Sequence, residues 1–157
     1  MSTSGTSPVG ADPAGEAAKA VVRANTEKVQ GGGDFDLFDQ LFADDFIDHT
    51  PQPGTTPDKT GVRALYTALR AAFPDFRPEI HWQAAEGNLV TTYKTYHGTH
   101  RGEVFGIPAT GRRVSFETVD AMRVVDGKIT DHWGVANLYS LVQQLTADTD
   151  RSQEHRS

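Results

Sequence analysis

The sequence predicts an α+β domain in which helices pack on one face of a curved antiparallel sheet. Three observations lead there. Apolar residues recur at helical spacing as far as Phe73, alternation replaces that spacing from Phe76 onward, and Asp126-Gly127 separates two alternating runs as a two-residue hairpin turn.

Taken in order, Glu16 to Gln30 spaces Ala17, Ala20, Val21, Ala24 and Val29 as one helical face, and Gly31-Gly32-Gly33 stops it. A second helix is expected from Phe35 to Phe46, through Leu37, Phe38, Leu41 and Phe42. The Pro-rich loop holding Pro51, Pro53 and Pro57 follows. Thr60 to Phe73 sets Val62, Leu65, Tyr66 and Leu69 on one face and ends at Pro74, giving a third helix. Strands are expected at Arg77 to Ala85, Leu89 to about His100, Val114 to Val125 and Lys128 to Val135. Asn137 can cap a short last helix, Leu138 to about Leu145. Residues 1–14 and 147–157 lack apolar periodicity and are expected to be a disordered N-terminal and a flexible C-terminal tail around a 15–146 domain.

The chain has 157 residues, 37% hydrophobic and 23% charged, which suits one self-sufficient core. No apolar run approaches the roughly 20 residues that cross a bilayer, so no membrane partner is expected. A net charge of -6 argues against a nucleic-acid partner, since such proteins present a basic patch. The sequence contains no cysteine, which excludes disulfides, thiolate-bound zinc and thiol nucleophiles. No metal site is expected from the histidines either: none has the His-Glu-x-x-His spacing, and the two in "HGTH" fall on opposite faces of a strand. The N-terminus shows no signal-peptide pattern, and the expected location is cytoplasmic.

The hairpin at Asp126-Gly127 sorts side chains by face. With those two residues as the turn, Val125 opposes Lys128, Ala121 opposes His132, Asp120 opposes Trp133 and Val119 opposes Gly134. One face then carries Phe116, Thr118, Asp120, Met122, Asp131 and Trp133, and the other Glu117, Val119, Ala121, Thr130, His132 and Gly134. His132 and Trp133 cannot both enter one pocket unless a bulge intervenes.

The order of elements, together with "FIDHTPQPG", "AAFPDF", "GTHRGEVFGIPATGRRVSF" and "MRVVDGKITDHWGVANLYSLVQQL", resembles the SnoaL-like polyketide cyclase family of the NTF2-like superfamily, from about Phe35 to Leu145. The resemblance implies an NTF2-like cone, with three N-terminal helices on the curved sheet and a short C-terminal helix, a pocket between them, and a homodimer. It also implies acid-base catalysis without cofactor, an aldol ring closure of an aromatic polyketide ester, and so a small hydrophobic or aromatic substrate. In relatives the histidine of the "HW" pair points inward and the position two residues later commonly carries an acid. Carried over, His132, Gly134, Glu117 and Val119 form the cavity wall, with Trp133 and Asp120 opposite and no carboxylate at 134.

An aldol closure needs a base for an α-proton and a donor for the developing alkoxide. His132 can serve either role near neutral pH, and Glu117 is its expected partner, with a solvated strand edge as the alternative reading. Asp120 is a further catalytic candidate, or else a partner of Arg123 or part of a dimer contact. His49 resembles the family's histidine at the pocket mouth, against a turn hydrogen bond. Tyr93, His97 and His100 are candidate substrate contacts, with surface positions as the rival reading of the histidines. Asn137 reads as a helix cap or an oxyanion donor. Trp133, with Phe42, Phe46, Tyr66, Phe73, Trp82 and Phe105, is core from which some members must line any pocket. Two further functions remain open: opening an epoxide in the same pocket, and a non-catalytic small-molecule-binding protein, to which Gly134 gives most support.

Overall fold

The computed structural model describes residues 12–147, so most of the two expected tails lies outside the described residues. Helix α1 spans Pro13–Ala24; its Asp12 side chain caps the backbone N–H of Ala14, and proline occupies the first turn, where no N–H is needed. The helix continues as a π-helical turn, Asn25–Gln30, which buries Asn25, Thr26, Val29 and Gln30. Gly33, at φ +75°, then turns the chain into α2, Phe35–Leu41, capped by Asp34.

The expected second helix ends at Leu41. Phe42–Asp48 is a strand, β1, and it pairs in parallel with the last strand of the sheet. Phe42 and Phe46 still bury together against Phe38, with the Phe38 and Phe42 rings stacked at 4.4 Å. Their four-residue spacing therefore served the same core as a helix face would, and strand pairing overrode the local helical pattern.

Helix α3, Lys59–Ala72, is capped by Asp58 and lies against β1. The rest of the sheet is β2, Arg77–Glu86, β3, Leu89–Thr99, β4, Arg113–Val125, and β5, Lys128–Ala136, in the order β1-β5-β4-β3-β2. It is a mixed sheet, antiparallel except at the β1–β5 edge. Helix α4, Leu138–Thr146, packs across β4 and closes one end. One core joins α1, α2, α3 and the inner faces of β3 to β5; a second lies under Phe73, Phe76, Tyr96, Phe116 and Leu141. Along β4 the inward residues Val114, Phe116, Thr118, Asp120, Met122 and Val124 are buried and their neighbours largely are not, so the concave face is fixed. No described helix is long and apolar enough to cross a membrane.

Candidate active site

A cavity of about 310 Å³ lies between this concave face and α3. Its walls are mostly apolar, built from Phe42, Phe46, Val62, Leu65, Tyr66 and Leu69 on one side and Phe116, Met122 and Leu141 on the other. Gln52, Pro53, Glu103 and Phe105 from two loops stand at its rim, and the ionisable groups Asp48, Asp120 and His132 share its lining.

A single extra residue brings these three together. Val124 pairs with Ile129 as the hairpin requires, but Arg123 pairs with Asp131, leaving Thr130 as a bulge. The Thr130 hydroxyl donates to Asp131 Oδ1 at 2.7 Å, which supports the bulged strand. Beyond it the alternation of β5 is reversed. His132 opposes Met122 and points inward, Trp133 opposes Ala121 and points outward, and Gly134 opposes Asp120.

The face assignment expected from an unbroken hairpin is therefore corrected. His132 does line the cavity, but beside Asp120 and not beside Glu117. Glu117 and Val119 lie on the outer face, where Glu117 is exposed and accepts a hydrogen bond from the Tyr93 hydroxyl. Tyr93 thereby leaves the cavity as well. His97 also lies outside, 2.8 Å from Glu79. His49 stacks on Trp133 with centroids 4.4 Å apart and bonds Asp131 Oδ2 at 2.9 Å, so both rings belong to the outer surface. His100 is buried away from the cavity: its Nδ1 accepts from the backbone N–H of Thr110, and its own backbone pairs with Arg112, which pins the base of the β3–β4 loop. Asn137 is the α4 cap, accepting from Ser140 N at 3.1 Å. Of the aromatic set, Phe42, Phe46, Tyr66 and Phe105 reach the cavity, whereas Phe73, Trp82 and Trp133 do not.

Two charged groups that the sequence reading did not single out complete the arrangement. Asp48, at the end of β1, places Oδ1 2.9 Å from His132 Nδ1 and also accepts the backbone N–H of Thr50. Lys94, inward on β3, lies wholly buried with Nζ 3.0 Å from Asp120 Oδ2. On the far side of the ring, His132 Nε2 is 3.8 Å from that same oxygen. A β-prone Phe46-Ile47 pair followed by an acid was the available signal for Asp48, and a lysine in the alternating run "LVTTYKTYHGT" was the signal for Lys94.

Burial would drive each of these groups neutral, yet their mutual attraction wins. Burial lowers the basicity of His132, but the carboxylates of Asp120 and Asp48 raise its pKa from 6.5 to about 9, so the imidazolium persists at neutral pH. Asp120 is held below the usual carboxylate range: burial opposes this, and the charges of Lys94 and His132 outweigh it. Asp48 is likewise lowered against burial, through its hydrogen bond to His132. A folded-state pKa above the unfolded one means His132 stabilises the fold fully below pH 6.5 and loses that contribution as pH climbs through about 9. Urea unfolding is expected to show stability falling by about 3 kcal/mol between pH 6.5 and 9.5, a fall that His132→Gln removes. A flat profile in the parent protein would contradict the pairing.

Gly134 leaves the space these groups occupy. A Cβ added there would lie 2.8 Å from His132 Nε2 and 3.2 Å from Asp120 Cβ. The residue paired with Gly134 across the strands is Asp120, and its carboxylate lies 3.8 Å from His132 Nε2.

The model of the SnoaL-like polyketide cyclase family matches residues 19–145. Aklanonic acid methyl ester cyclase of Streptomyces peucetius is 38% identical over 80 residues, covering 48% of this chain and 55% of that protein. Nogalonic acid methyl ester cyclase of Streptomyces nogalater is 42% identical over 59 residues, 38% of this chain and 44% of its own. The chain spans about half the length of the curated relatives it matches. Among solved structures, wild-type IdmH of Streptomyces antibioticus superposes with a TM-score of 0.73 at 29% identity, covering 82% of this chain and 97% of that one. TsrD of Streptomyces laurentii, at 24% identity and a TM-score of 0.76, covers 85% and 97% and shares the fold.

Proposed function

The chain belongs to the SnoaL-like polyketide cyclase family, and we propose that it closes a ring in a polyketide-derived substrate by an intramolecular aldol reaction without cofactor. The observation that carries this reading is the pairing, on one wall of an apolar cavity, of an ionised Asp120 with a protonated His132. Opposite protonation states side by side are what a proton abstraction coupled to a proton delivery requires.

In this reading Asp120, which shares the cavity lining, takes the α-proton on its carboxylate. The enolate carbon forms one C–C bond with an internal carbonyl, and the carbonyl oxygen takes a proton from His132 Nε2. The product is an isomer of the substrate, and the proton on Asp120 returns to His132. Asp48 holds Nδ1 and so aims Nε2 at the cavity. Donor and acceptor are both side chains, so the scheme calls for no cofactor. The apolar walls favour a flat hydrophobic substrate.

The relatives' names supply the substrates to try. With aklanonic acid methyl ester or nogalonic acid methyl ester, the expected result is conversion to a ring-closed isomer, separated chromatographically and identified by NMR. His132→Gln, which keeps size and loses the charge, is expected to lower kcat by about 10²-fold. Undiminished turnover in that variant would remove His132 from the chemistry. Binding without conversion of either ester would favour the non-catalytic reading.

A homodimer is also proposed. Trp82, Tyr93, Val119 and Val135 pair successively across β2, β3, β4 and β5, and put an apolar row on the outer sheet face. A second copy of the chain would cover it.

A further inference from the structure

We propose that Lys94 is the positioning residue of this site: its buried ammonium, 3.0 Å from Asp120 Oδ2, fixes the charge and aim of that carboxylate and thereby sets the pH window of the Asp120–His132 pair. The inference rests on the reading of Asp120 and His132 as base and acid, and it concerns a residue outside the cavity lining.

Lys94 alternates inward on β3 with Val90, Thr92 and Tyr96, and its cross-strand partner is Thr118, one inward step from Asp120. Its side chain has no exposure, and that of Asp120 is almost as hidden. Stability does not explain such a pair, because two apolar residues of similar volume hold a core as well or better. What the pair achieves is an ionised carboxylate at the wall of an apolar cavity, where a lone acid would be driven neutral.

The groups that face it set the balance. Asp120 comes from β4, His132 from β5, Asp48 from β1, Tyr66 from α3 and Tyr96 from β3 itself, the last with its ring 5.3 Å from Nζ. Tyr66 is bonded by Asn25 at 3.0 Å and stays neutral, since burial pushes its pKa up. Four charges remain, alternating in sign from Lys94 through Asp120 and His132 to Asp48. Their sum is zero. Removing the first member leaves Asp120 with one cation instead of two, and leaves His132 between two carboxylates with no opposing positive charge nearby. Both then hold a proton to higher pH.

Two measurements test this. In Lys94→Met, both limbs of the kcat/KM profile are expected to move upward by about one pH unit or more, and the His132 ring titration followed by NMR, which needs no substrate, to move the same way. A lower rate with unmoved limbs and an unmoved ring titration would make Lys94 merely structural and overturn the proposal. If Lys94→Met alone does not fold, Asp120→Asn and the pair Lys94→Met/Asp120→Asn replace it. The unscreened ammonium should lower the His132 midpoint in Asp120→Asn, and the pair should recover at least half of that drop. Equal midpoints in the two would overturn the proposal as well. The ring titration keeps the two ideas apart. If it moves as stated while Asp120→Asn retains full turnover, the reading of Asp120 as the base fails and the coupling stands.

Discussion

Asp120→Asn is expected to lower kcat by about 10³-fold while leaving the substrate bound. The amide keeps the shape of the carboxylate but cannot take a proton, and it loses the charge that pairs with Lys94 and His132. The same change strands a buried cation, because Lys94 has Asp120 as its ion-pair partner. The variant should therefore also be about 3 kcal/mol less stable. Stability and turnover can be separated: adding Lys94→Met to Asp120→Asn removes the stranded charge and should restore the urea midpoint, yet return no activity. Glu117→Gln is the control. Glu117 is the acid that an unbroken hairpin would put on the same face as His132, and in the folded chain it stands on the outer face. It is expected to change turnover by less than about twofold, in the range of a surface substitution. Near-parental turnover in Asp120→Asn, or a collapse in Glu117→Gln, would reverse the assignment.

That reversal of acids shows where sequence reasoning holds and where it stops. The helices α1 and α3, the Asp126-Gly127 hairpin and the Asn137 cap were legible because each is decided within a few residues, by periodicity, turn chemistry or a single side-chain hydrogen bond. The strand Phe42–Asp48 was not, since Phe42 and Phe46 fit a helix face equally well and only pairing with β5 separates the two. Missing β1 also hid Asp48, which lies at its end. The bulge at Thr130 left no trace in the pattern. One inserted residue changes nothing before it, and β5 is too short beyond it for alternation to reveal the new phase. Its effect is nevertheless total, because a one-residue slip sends every later side chain to the other face. His132 lines the cavity, the side the resemblance implies, and the carboxylate within reach of its Nε2 is Asp120, which the unbroken hairpin puts on the opposite face.

Installing an acid at this position, as Gly134→Asp, is expected to destroy the site and not to improve it, and Gly134→Ala should already cost about 10²-fold in kcat/KM. Any β-carbon at 134 would approach His132 Nε2 to 2.8 Å and Cε1 to 2.9 Å. A flexible side chain could swing aside, but this ring is tied through Nδ1 to Asp48, so moving it breaks a charged hydrogen bond. The backbone has little slack either, because Gly134 N donates to Thr50 Oγ1 at 2.8 Å. In Gly134→Ala the ring should turn away from its two carboxylates, and its NMR titration midpoint should fall from about 9 toward the ordinary 6.5. Full activity with an unmoved midpoint would show that the ring has room to spare. Aspartate adds a second fault, since its carboxylate would sit beside Asp120 on the paired strand and one of the two would hold a proton at neutral pH. A faster Gly134→Asp would mean that the empty position is a lost catalytic acid. A slower one means that the position had to be empty, because the acid stands across the strand pair and the imidazole fills the space between.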